Sequence, residues 1–312
     1  MALPSFLDRI QMLDEPRLAL FDADGTLWEN DIADDCTIWM LGTGRIRTGH
    51  RWAEYKRIYA EDAPAGCRYL LTFYEGMRAE DLTRHVNAYW NEFMKLDYIE
   101  EPVEVLRYLA ARGFEIWVVT GSPTDFLFPL LDRLPVQKIV GMDFEVDANG
   151  VLTGRHSGIS CAGEGKAEKV ISLWGGPIQF VAGNARLDEA MMRLARDVAW
   201  AVHPHPDLEK VARKEGWEIK PSPRPPYGTT GWLTLEQELA ERGLTLPAPD
   251  APAAGAAEER LPSDGSLARP GGPLAHPRSR GLGAPVTTAQ GPAREDGHGS
   301  PEHSRESSAR DP

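Results

Sequence analysis

The chain has 312 residues, 42% of them hydrophobic and 26% charged, with a net charge of -13. That is the composition of a globular protein with room for one large domain or two smaller ones. The acidic balance argues against nonspecific nucleic-acid or anionic-membrane binding, which needs clustered Lys and Arg. It leaves an anionic small substrate open, because a metal ion can supply local positive charge. Cys36, Cys67 and Cys161 are widely spaced and show no CxxC pattern, so reduced thiols are expected rather than a disulfide framework or a zinc site. The N-terminus has no basic start followed by an apolar core, and no apolar run approaches the ~18 residues of a membrane span. Both features point to the cytoplasm.

In chain order, the first strand is expected over Arg17–Asp22, running into Asp22-Ala23-Asp24-Gly25-Thr26. Residues 29–101 follow, helical in tone and dense in aromatics such as Trp39, Trp52, Tyr55 and Tyr59. Then helices alternate with strands. Helices are expected at Pro102–Arg112, Thr124–Arg133, Lys166–Trp174, Leu187–Arg196 and Asp207–Glu215. Strands are expected at Phe114–Thr120, Lys138–Met142, Gln179–Ala182 and Val198–Val202. Gly113 and Gly216 sit where helix-ending glycines do. Phe144–Val146 and Val151–Thr153 flank an Asn-Gly turn and read as a hairpin. Alternation of this kind predicts an α/β fold, a Rossmann-like parallel sheet with helices on both faces. Residues 1–28 and 102–246 would form this core, with 29–101 as an inserted all-helical cap domain. The insertion falls at the strands' carboxyl ends, where α/β proteins bind ligands. From 247 to 312 there is no Phe, Trp or Tyr, and nine Asp and Glu stand against seven Arg. Such a segment buries too little apolar surface to offset its ordering entropy, so a disordered tail is expected.

Four segments carry chemistry. In a strand, residues i and i+2 share a face, so Asp22 and Asp24 are expected at one mouth, where two carboxylates raise each other's pKa unless a cation or proton separates them. Thr120-Gly121-Ser122 ends the second strand, and the Ser122 hydroxyl and the free N–H groups beside Gly121 suit an anion, although Ser122 as a plain helix cap is the bland alternative. Lys166 opens a helix after two glycines, where the helix dipole disfavours a cation. A phosphate or carboxylate to neutralise is the obvious reason. Gly183-Asn184 ends a strand and Asp188 lies one turn on; both offer oxygen ligands for Mg²⁺, with helix capping by Asn184 as the alternative.

Taken in order, these segments resemble the haloacid dehalogenase superfamily over roughly residues 17 to 220. Asp22-Ala23-Asp24-Gly25-Thr26 matches its DxDx(T/V) motif, Thr120 its second motif, and Lys166 its third. Gly183-Asn184 with Asp188 matches the acidic fourth motif imperfectly, since Asn184 stands where an Asp is usual. The cap position looks most like the phosphoserine-phosphatase-like branch. The resemblance implies a Mg²⁺-dependent phosphomonoester hydrolase acting on a small phosphorylated metabolite. Asp22 would be the nucleophile that forms an aspartyl-phosphate, and Asp24 the general acid and base. Thr120 and Lys166 would hold the phosphate, and Asp22, Asp24, Asn184 and Asp188 the metal. Gly121 and Ser122 would contact substrate. Asp31 and Arg68 stand near the branch's cap residues for a substrate ammonium and carboxylate, which keeps phosphoserine in view. Trp28 beside Asp31 would also suit a quaternary amine such as phosphorylcholine. A dehalogenase, a phosphotransferase, and a relative impaired by Asn184 are the alternatives.

Overall fold

The structure, a computed structural model, describes residues 3–10, 16–94, 97–223, 225 and 231–248. Seven strands form one sheet: β1 (Leu18–Phe21), β2 (Glu115–Pro123), β3 (Lys138–Val146), β4 (Leu152–Ser157), β5 (Ile178–Gly183), β6 (Ala195–Val202) and β7 (Glu218–Lys220). Their order is β4-β3-β2-β1-β5-β6-β7. All neighbours are parallel except the β3–β4 hairpin. The expected α/β Rossmann-like sheet is therefore present. Strands β1 and β5 are buried at every residue, as expected of parallel strands with both faces covered.

The hairpin turns where expected. The Asp147 carboxylate accepts from the N–H groups of Asn149 and Val151, and Gly150 takes the left-handed conformation. Strand β3 runs unbroken from Lys138 into the hairpin, so the two pieces expected there are one strand. The Pro102–Arg112 helix is α5 (Glu100–Ala111), and Asp207–Glu215 is α9 (Pro206–Glu215). Gly113 and Gly216 follow them with positive φ, as expected.

Two helices are shorter than expected. After α6 (Thr124–Leu127) the backbone tightens to a 3-10 turn through Asp132, because Pro129 lacks the N–H that an α-helix needs. The expected Leu187–Arg196 helix is a 3-10 turn followed by α8 (Glu189–Met192), and the chain enters β6 by Ala195. Pairing of Ala195 with Ile178 in the sheet overrides the local helical pattern. Strand β7 and α10 (Leu235–Glu241) were not expected. Of the tail from 247 onward, only Pro247 and Ala248 lie within the described residues.

Between β1 and α5 the chain is helical, with α1 (Ile32–Gly42), α2 (Trp52–Glu61), α3 (Ala63–Leu70) and α4 (Ala79–Ala88). Helix α1 is buried from Ile32 to Leu41. Its two interior acids are paired: Asp34 with Lys56 of α2, and Asp35 with Arg242 after α10. Pairing is what permits carboxylates there, since an isolated buried charge is very costly.

Candidate active site

The register sets Phe21 opposite Val118 of β2 and Ala182 of β5, so the ends of the three central strands lie side by side. Chain order reverses direction at β1, the topological switch point where ligands bind in open α/β sheets. Residues in or just beyond the C-terminal ends of these strands line one cavity of about 980 Å³, including Asp22, Asp24, Thr120, Gly121, Ser122 and Asn184. Lys166 and Asp188 line it too.

Asp22 is 5% exposed. Its N–H extends the sheet by donating to the Ala182 carbonyl. One carboxylate oxygen accepts from Lys166 Nζ at 2.7 Å, the other from Thr26 Oγ1 at 3.0 Å. Burial pushes the Asp22 pKa up to about 7, with the nearby Asp188 charge adding to the rise and Lys166 opposing it.

Lys166 is the third residue of α7 (Glu164–Leu173) and is 2% exposed. It donates to Asp22, to Asp188 Oδ1 at 2.6 Å, and to the Val119 carbonyl at 3.1 Å. Burial opposes its charge, but Asp188 and Asp22 outweigh burial and hold its pKa above the usual lysine value. The cation at a helix start is thus explained by two carboxylates from neighbouring strand ends.

Asp24 is held differently. Its Oδ1 accepts from the Ile32 N–H and from Trp28 Nε1, both at 2.8 Å. Its Oδ2 meets Ser122 Oγ at 2.7 Å. Burial raises its pKa, against these three hydrogen bonds. The two carboxylates therefore differ: one is salt-bridged, and one is held among neutral donors that leave room for a proton. Ser122 serves Asp24 and does not cap the following helix. Thr120 Oγ1 accepts from the Ser122 N–H.

Gly25, between these groups, has φ +74°. A Cβ there would stand 1.8 Å from Asn184 Nδ2, so the Asn184 amide is pressed against the backbone of the Asp22–Thr26 loop. Asn184 neither caps a helix nor stands apart from the first motif.

Asp188 accepts Lys166 on Oδ1 and the N–H groups of Asn184 and Ala185, at 2.9 Å each, on Oδ2. Two expectations need correction. Arg68 is not among the residues lining the cavity; it reaches Ser160 Oγ at 3.4 Å. Trp28 is fully buried and bonded to Asp24, so its ring is not a substrate surface. Asp31 does line the cavity, while also capping α1 by accepting from the Asp34 N–H at 3.0 Å. Burial, then the nearby Asp34 and Asp24 charges, hold it well above the usual carboxylate range.

Sequence reasoning missed Thr26 as a donor to Asp22, and Tyr55, Tyr59, His205 and Trp232 as cavity residues. Thr26 was legible in principle, four residues from Asp22 within the motif. The others depend on packing between distant segments.

The cavity's donor set can be tested against Mg²⁺. Among the described residues, no group of three or more His, Cys, Asp and Glu side chains is placed to hold a metal ion. The Asp22 carboxylate, the Asp24 carbonyl and the Asn184 side-chain oxygen are nonetheless all hard oxygen donors, which Mg²⁺ accepts together with waters. Burial raises the pKa values of Asp22, Asp24 and Asp31, and a bound cation would favour their ionised forms. The residues present fit a Mg²⁺ ion held largely by neutral oxygens.

The sequence and the fold agree with known proteins. The chain is 23% identical over 218 residues to a histidinol-phosphatase of Neisseria meningitidis serogroup C (strain 8013), covering 65% of this chain and 97% of that protein. It is 25% identical over 233 residues to phosphoserine phosphatase SerB1 of Mycobacterium tuberculosis (strain ATCC 25618 / H37Rv), covering 68% and 73%. Its fold matches the crystal structure of a protein of unknown function from Bordetella pertussis Tohama I with a TM-score of 0.59, at 22% identity, over 65% of this chain and 97% of that one. A family model described as haloacid dehalogenase-like hydrolase matches residues 19–202, and this chain belongs to that family.

Proposed function

We propose that this protein is a Mg²⁺-dependent phosphomonoesterase acting on a small phosphorylated metabolite through an aspartyl-phosphate on Asp22. The observation that carries the reading is the asymmetry of the carboxylate pair, with Asp22 on Lys166 and Asp24 on Ser122 at the mouth of one cavity. The two relatives named as phosphatases support the reaction class.

The Asp22 carboxylate attacks phosphorus; its oxygen–phosphorus bond forms as the ester oxygen–phosphorus bond breaks, splitting one hard displacement into two easier ones. Asp24 gives its proton to the departing oxygen. Oδ2 is the oxygen left for that proton, because Oδ1 already accepts two N–H donors while Oδ2 accepts only from Ser122 Oγ. Asp24 then takes a proton from the water that attacks the aspartyl-phosphate, which releases inorganic phosphate and restores Asp22. Lys166 and Thr120 hold the phosphate oxygens with fixed donors, as transition-state charge requires. Asp22, the Asp24 carbonyl and Asn184 would hold Mg²⁺, which when bound would neutralise charge on the phosphoryl group. The helical insertion acts as a cap that bounds the leaving-group side, with Asp31 facing it. Asp24 favours an oxygen leaving group over a halide, which needs no proton.

The test is hydrolysis of p-nitrophenyl phosphate with and without Mg²⁺ by wild type, Asp22→Asn and Asn184→Asp. Wild type should need Mg²⁺, and Asp22→Asn should lose at least about 10³-fold. Asn184→Asp adds a carboxylate and should lower the Mg²⁺ concentration for half-maximal rate. Absence of Mg²⁺-dependent release from pure wild type, with no aspartyl-phosphate trapped, would sink the reading.

A further inference from the structure

The C-terminal part of the described chain packs back onto the helical insertion. Helix α10 opens with a reciprocal cap, in which Thr234 Oγ1 accepts from the Gln237 N–H and Gln237 Oε1 accepts from the Thr234 N–H. Leu235 and Leu239 are buried. A Cβ on Gly42 of α1 would stand 2.9 Å from Leu239 Cδ2, so the two helices pack closely at this glycine. Arg242 then clamps the contact, with Nε 3.0 Å from Asp35 Oδ1 on α1 and Nη1 2.7 Å from Glu238 Oε2. The segment is a built part of the insertion.

Trp232 sits two residues before this cap. Its ring meets Tyr59 edge-on, with centroids 5.6 Å apart. The Lys56 ammonium lies 4.3 Å from its centroid. Lys56 is itself buried and paired with Asp34, to which the Tyr55 hydroxyl donates at 2.9 Å. Trp232, Tyr55 and Tyr59 all line the cavity that holds Asp22 and Asp24.

We propose that Trp232 is a specificity-determining residue. Delivered by the C-terminal segment, it forms with Tyr59 an aromatic wall that contacts the organic leaving group of the ester. The inference rests on reading the cavity as a phosphatase site. Donors for the phosphate half come from the strand ends and α7, whereas all three aromatics come from α2 and the C-terminal segment. A cavity of about 980 Å³ exceeds what a phosphate fills, and the remaining space is where the leaving group lies. Rigid aromatic faces there favour planar organic groups by stacking, at little entropic cost.

The experiment uses the full chain carrying Asp22→Asn, in Mg²⁺ buffer, with calorimetric Kd values for p-nitrophenyl phosphate and for inorganic phosphate. Adding Trp232→Ala should raise the ester's Kd roughly tenfold and leave that of inorganic phosphate within about twofold, the scale at which a pocket reads one missing apolar contact. Trp232→Phe should recover most of the loss, and Arg242→Ala, which unclamps the segment, should reproduce it. If Trp232→Ala lacks a cooperative melt, the same ratio is read from Trp232→Leu, which keeps apolar bulk without the π face. Equal weakening of both anions, or an unchanged ester Kd, overturns the assignment. Turnover by wild type is the separate check on the phosphatase reading: an ester that binds selectively but is not hydrolysed removes that reading and leaves the wall. Binding of neither anion overturns both.

Discussion

The buried carboxylates predict an inverted pH dependence of stability in the metal-free protein. Burial and Asp188 raise Asp22 from 3.8 to about 7. The folded state therefore keeps this proton up to about pH 7, while the unfolded chain releases it near pH 4. Between those values the folded state binds more protons, so stability falls as pH rises. Each unit is worth about 1.4 kcal/mol, so the loss from about pH 5 to about pH 7 approaches 3 kcal/mol for this group alone. Asp24 and Asp31, also raised by burial, add to the slope with the same sign. Lys166 does not offset it, since it keeps its charge throughout this range. In Asp22→Asn the Asp22 contribution disappears. Urea unfolding in EDTA at about pH 5 and about pH 8 should show wild type losing about 3 kcal/mol more than Asp22→Asn. Mg²⁺ should rescue wild type near pH 8 and do little near pH 5, because it favours the ionised carboxylate. A stability difference between the two proteins that stays constant across pH would refute the reasoning.

Two further outcomes follow from the same geometry. Asp188→Ala leaves Lys166 with one buried carboxylate and removes the acceptor for two N–H groups; urea titration should read a loss of about 3–5 kcal/mol. Gly25→Ala forces a side chain onto left-handed backbone and into the Asn184 amide. It should cost about 1–2 kcal/mol in stability, and steady-state assay should find kcat lower by about 100-fold as the loop shifts.

Much of the site was legible because its parts are local. An apolar strand running into a turn brings two carboxylates to its end whatever else the chain does, and the same logic located Thr120, Ser122, Lys166 and Asn184. The parts that misled were those whose partners lie far away in sequence. Trp28 read as an open aromatic surface, yet its N–H is bonded to Asp24. Arg68 stood at a suggestive spacing, yet α3 turns it toward Ser160. The helix expected through Arg196 stops early because a strand pairing 17 residues away claims Ala195.

The alternation of strands and helices, and the residues that end each strand, are written in the local pattern of the chain. Hydrophobic periodicity and turn chemistry are properties of neighbouring residues. Partnership came from the tertiary fold. It paired Asp188 with Lys166, pressed Asn184 onto Gly25, and brought Trp232 from beyond the last strand to the wall of the cavity. Those choices follow from strand order and helix docking, and no local pattern encodes them.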